Sequence, residues 1–186
     1  MDKRGRYYDM EIAEYYATRG KLTNLNVIHG AHTALTYASQ EGHLDIVEAL
    51  LAAGANKNGT DNYGYTALIR AARNGRVEIL KTLLSAGAAK DKDNSNGSTA
   101  LRLASIYGHV ECVKALLVAK ADVNEANKGG VTPLMCASMM GYVEIVKLLL
   151  AAGAKKDKIT TTGYTALSWA TQRDQHEIVQ LLQQAA

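Results

Sequence analysis

The chain has 186 residues, 47% of them hydrophobic and 21% charged, a balance that can bury a core and excludes a disordered polar tail. Its 21 basic and 18 acidic side chains leave a net charge of +3, too even for a dedicated nucleic-acid or membrane-surface protein. Two cysteines, Cys112 and Cys136, cannot build a disulfide framework, and no apolar run reaches the roughly 18–20 residues of a bilayer span.

The N-terminus runs from charged residues into tyrosines and acids, with no apolar signal core, so a cytoplasmic or nuclear home is expected. Residues 9–19 have helical spacing, with Ile12, Ala13, Tyr16 and Ala17 on one side and Gly20 as a stop. Segment 1–27 is therefore expected to be an arm followed by a degenerate capping helix.

From residue 28 a 33-residue period governs the chain. Threonine recurs at Thr33, Thr66, Thr99, Thr132 and Thr165, leucine at Leu35, Leu68, Leu101, Leu134 and Leu167, and alanine at Ala38, Ala71, Ala104, Ala137 and Ala170. The register divides the chain at about 28–60, 61–93, 94–126, 127–159 and 160–186. Each copy reads as two short helices. Threonine is a good N-cap, and Pro133 suits the first helical position. Gly42, Gly75, Gly108 and Gly141, with Asp174 in the fifth copy, end the first helix. The second helix opens near an acid (Asp45, Glu78, Glu111, Glu144, Glu177), followed three residues on by Lys81, Lys114 or Lys147 as an expected partner. Leucine pairs such as Leu83-Leu84 complete its apolar stripe. So small a helix pair cannot bury its face alone, so neighbours must stack.

The 33-residue unit, with Gly64-Tyr-Thr-Ala-Leu, Gly130-Val-Thr-Pro-Leu, Gly163-Tyr-Thr-Ala-Leu and the loop Ala121-Asp-Val-Asn124, resembles the ankyrin-repeat family. The resemblance covers roughly residues 27–186 and implies an all-α solenoid of stacked helix-turn-helix units joined by β-turn loops. The family's motif histidine is replaced in every copy, by Thr36, Ile69, Arg102, Met135 and Ser168, and Lys120 stands where other copies have Gly54, Gly87 and Gly153.

Catalytic motifs are missing: there is no phosphate-binding loop, no dinucleotide fingerprint and no His-Glu-x-x-His. His43 and His109 occupy a position that also holds Arg76, Tyr142 and Gln175, which reads as a solvated helix start. His29 and His32 have no Cys or carboxylate close in sequence to complete a metal shell. Cys112 takes an Ile position and reads as an inert core thiol, whereas Cys136 is expected to be partly exposed. The chain is read as non-catalytic, without a cofactor.

Comparison between copies points to a surface instead. The resemblance implies that a partner meets the loop tips and the exposed side of the first helices, on the concave face. Carried over by register, the tips are His32, Tyr65, Ser98, Val131 and Tyr164, and a stripe beside them is Tyr37, Arg70, Leu103, Cys136 and Trp169. Two patches emerge. Arg70 and Arg73, three apart on one helix, with Arg102 in the next copy, form either a solvated basic face or a dock for an acidic segment. Ile106, Tyr107, Val131, Met139, Met140, Tyr164 and Trp169 form an apolar patch with Arg173 beside it, and the slots of Ile106, Tyr107, Met139 and Met140 hold Gln, Glu, Arg or Asn in other copies. The expected function is a monomeric, non-catalytic protein-binding module (adaptor, regulator or effector) using Tyr65, Arg70, Arg73, Arg102 and the apolar patch. The alternative is a nucleic-acid or acidic-ligand binder using Arg70, Arg73 and Arg102.

Overall fold

A computed structural model describes residues 28–29 and 32–184. The segment read as an arm and capping helix, residues 1–27, lies outside the described residues. A two-residue antiparallel ladder, β1 (Ile28–His29) with β2 (His32–Thr33), leads into five helix pairs. These are α1 (Ala34–Glu41) with α2 (Leu44–Ala52), α3 (Ala67–Arg73) with α4 (Val77–Ser85), and α5 (Ala100–Ile106) with α6 (Val110–Val118). Then follow α7 (Pro133–Met140) with α8 (Val143–Ala151), and α9 (Ala166–Gln172) with α10 (His176–Gln184).

Every first helix starts for the same reason. Thr33, Thr66, Thr99, Thr132 and Thr165 hold extended backbone, and each hydroxyl accepts the amide three residues on. Each such cap stabilises its helix by about 1 kcal/mol. Thr36 and Ser168, two of the residues replacing the family histidine, return a bond to the cap and close a capping box.

The first helices α1, α3, α5, α7 and α9 pack on one another in sequence, and the second helices form a parallel outer row. Ala38, Ala71, Ala104, Ala137 and Ala170 are completely buried where the first helices meet. In the outer row the leucine pairs divide. Leu50, Leu83, Leu116 and Leu149 are fully enclosed, whereas Leu51, Leu84, Leu117 and Leu150 are half-buried, because consecutive helical residues point about 100° apart. Burying each of the enclosed leucines contributes roughly 1.5–3 kcal/mol.

Two side-chain placements differ from the sequence expectation. The position of His109 is the helix start expected, but His109 itself is half-buried and packed rather than simply solvated. Arg76, His109, Tyr142 and Gln175 each close over the glycine of the preceding repeat, so a Cβ on Gly75 would lie 2.7 Å from His109 Nδ1 and one on Gly108 2.7 Å from the Tyr142 ring. His109 Nε2 also lies 3.0 Å from the Arg73 carbonyl oxygen. Those glycines therefore answer two demands, a left-handed φ and a close neighbour. Second, Lys81 and Lys114 pair with Glu78 and Glu111 as expected, but Lys147 reaches Glu177 of the next repeat at 3.0 Å instead of Glu144.

On the outer edge the side-chain oxygens of Asn58, Asp91 and Asn124 accept the amides of Ala89, Asp122 and Lys155 in the following repeat, each at 2.8 Å. With the helix stacking, this ladder holds successive first helices in a fixed relation and so fixes the surface they present.

Candidate protein-binding surface

The surface begins with the turns that precede the first helices. In four of these turns one side chain, buried at Asp61, Asn94 and Thr160 and half-buried at Asn127, accepts backbone amides. Asn94 Oδ1 accepts from Asn96 and Ser98, Asn127 Oδ1 from Gly129 and Val131, and Thr160 Oγ1 from Tyr164. The second repeat uses Asp61, whose Oδ1 accepts from Tyr63 and Tyr65 at 2.9 Å each.

A carboxylate there brings a charge into a site that is 4% exposed, and an uncompensated buried charge is very costly. Arg70 supplies the compensation. Its Nε donates to Asp61 Oδ2 at 2.9 Å, its Nη2 to the same oxygen, and its Nη1 to Gln40 at 3.0 Å. The guanidinium lies 4.1 Å from the Tyr65 ring centroid, and Arg70 is only 6% exposed. Arg70 is therefore an internal counter-charge, which corrects its reading as part of an open basic patch.

Arg102 also departs from that patch. It occupies the row that holds buried Ile69 and Met135, its Nη1 donates to Ser98 Oγ at 2.8 Å, and its Nε is enclosed. Arg73 is different. Its guanidinium lies 5.7 Å from the Tyr65 ring and 5.5 Å from the Tyr107 ring, so it bridges two repeats across two aromatic faces. Among the described residues no carboxylate pairs with it.

The apolar patch sorts by depth. Tyr107 is 46% and Met140 45% exposed, at equivalent positions of adjacent repeats. Ile106 and Val131 are half-buried against the core, and Met139 is half-buried beside Met140. Tyr164, 36% exposed, stacks on Trp169 with ring centroids 4.8 Å apart. Arg173 is exposed at the end of α9, with Asp174 next to it.

A profile of ankyrin repeats in three copies matches residues 6–94 and 83–160. The chain belongs to the ankyrin-repeat family. Comparison with curated proteins gives no match. Ankyrin repeats are generally protein–protein interaction modules and typically non-catalytic. Among the described residues of this ankyrin-repeat chain, no helix is long and apolar enough to cross a membrane.

Cys136 is fully buried, correcting the expectation of partial exposure; the α7 face it occupies packs between its neighbours. Burial pushes both Cys112 and Cys136 up to about 11, so neither thiol is a nucleophile at neutral pH. One surface residue escaped the sequence reading. Tyr63 is 58% exposed at a turn tip and helps line a groove of about 550 Å³ with Asn62, Tyr65, Arg73, Ser95 and Asn96. Its signal was present, since Asn96, Gly129 and Thr162 hold the same position in the other copies.

Proposed function

We propose that this ankyrin-repeat chain is a non-catalytic module that grips a protein partner on the face made by its turns and first helices. The single observation that carries the reading is the pair Tyr107 and Met140, both nearly half exposed on adjacent rigid helix ends. Large side chains held there lose little rotamer freedom on binding, and interface energy concentrates in such central anchors. Tyr65, Ile106, Val131, Met139, Tyr164 and Trp169 extend the apolar floor, and Arg73 and Arg173 supply its positive groups. Acting as adaptor, regulator or effector within the cytoplasm, as a monomer, is consistent with this reading.

The nucleic-acid alternative depended on three clustered arginines, and Arg70 is consumed by Asp61. The test is affinity capture with the intact chain beside the Tyr107→Ala/Met140→Ala variant, followed by mass spectrometry. Proteins retained by the first and lost by the second support the reading. Equal retention by both baits, or binding to arbitrary DNA that falls steeply with salt, overturns it.

A further inference from the structure

We infer that the partner element is an extended acidic segment, with a carboxylate on Arg73 and an apolar side chain about three residues away over Tyr107. The inference rests on the protein-binding reading above and adds the chemistry and spacing of what is bound.

Of Arg70, Arg73 and Arg102, Arg73 is the one whose N–H edge is left for a ligand among the described residues. Arg70, one turn earlier on the same helix, spends its donors on Asp61 and Gln40, and Arg102 is engaged under its own turn by Ser98. Among the described residues Arg73 meets ring faces and makes a long 3.5 Å approach to the Tyr65 hydroxyl. Rings on which a guanidinium lies satisfy its face and restrict its torsions, leaving its N–H edge for an acceptor. A carboxylate matches that edge with two parallel hydrogen bonds. The buried carboxylate of Asp61 adds no repulsion, because Arg70 already neutralises it.

The spacing follows from the stack. Arg73 closes the first helix of its repeat, Tyr107 sits at the corresponding end one repeat on, and Met140 one repeat further. Packed helices lie about 8–10 Å apart, and an extended chain advances about 3.3 Å per residue, so one repeat is crossed in about three residues. A segment bound at Arg73 thus places its third neighbour over Tyr107 and its sixth near Met140. A helical ligand, rising about 1.5 Å per residue, would need about five to seven residues for the same step, so the spacing in bound peptides distinguishes the two.

The test is selection of random dodecapeptides displayed on phage against the full chain. Enriched peptides are expected to carry Asp or Glu with an apolar side chain two to four positions away. Arg73→Gln, a residue that Gln40 and Gln172 show the position accepts, should weaken them at least about tenfold. Arg73→Glu should bind the acid-to-Lys version of a selected peptide better than it binds the parent. Peptides blocked by Tyr107→Ala/Met140→Ala but lacking the acid, or indifferent to Arg73, overturn this inference while leaving the protein-binding face standing. Peptides indifferent to both sets of variants overturn both readings. A library that yields no binder also overturns the inference, since a linear segment is then not the ligand.

Discussion

The Asp61–Arg70 pair lets the chain supply its own control. Replacing Asp61 by Asn copies Asn94 and Asn127, and keeps an oxygen to accept the Tyr63 and Tyr65 amides. Replacing Arg70 by Leu copies Leu103 in the next repeat. Either change alone strands a charge in a site less than a tenth exposed. Breaking such a pair costs about 3–5 kcal/mol, whereas exchanging both partners for neutral groups is close to neutral or stabilising. Loss of the Arg70–Tyr65 contact should subtract only about 0.5–1 kcal/mol from the double variant. With a urea dependence of roughly 1–3 kcal/mol per molar, each single variant should lower the midpoint on the order of 1–5 M. The double variant should return to within about 0.5 M of the parent. The assay is equilibrium urea unfolding of the four proteins, read as a double-mutant cycle. Losses that simply add would mean that the two side chains do not compensate one another, and the assignment of Arg70 as a counter-charge would be wrong.

Leu116, fully enclosed in α6, should cost about 2–5 kcal/mol as Leu116→Ala, while Glu111→Ala on the exposed side should stay within about 1 kcal/mol, both by urea titration. Lys120 holds φ 61 where other copies have glycine, so Lys120→Gly should raise thermal stability by up to about 1 kcal/mol; a loss would show that its backbone is unstrained. Gly75→Ala should cost more than Gly54→Ala, because only the first meets a neighbour, His109, within 4 Å; equal losses in urea would remove the close-packing argument. Both thiols, raised from 9.0 to about 11, favour the folded state while neutral, so their contribution is complete below about pH 9 and lost as pH rises toward 11. Folded protein at pH 8 should leave a thiol reagent unreacted until urea is added, and prompt reaction of either cysteine would contradict the burial.

The architecture was legible because a stack imposes the same physical demand once per repeat. Thr33 and its four successors each cap a helix, and Ala38 and its successors each fill the same close approach. What the period hid were the pairings between positions. Asp61 and Arg70 are nine residues apart, and each alone looks like a surface charge. The clue was that both depart from neutral types in the same repeat, which is what a buried pair requires. The His109 position misled for the opposite reason. Arg76, His109, Tyr142 and Gln175 share no chemistry, yet all are long or flat enough to lie over a glycine that has no side chain of its own. Depth within the apolar patch was also unreadable: Ile106 and Tyr107 are adjacent in sequence, but one packs on the core and the other faces outward.

Tyr107 and Met140 are proposed to serve a partner and not the fold. The most direct test is to measure, for the Tyr107→Ala/Met140→Ala variant, affinity for a captured partner beside the urea midpoint. Two anchors of this kind should together weaken binding at least about thirtyfold, at tenfold per 1.4 kcal/mol, with the midpoint nearly unchanged. A lowered midpoint with unchanged affinity would show that these side chains hold the stack together, and that the partner binds elsewhere.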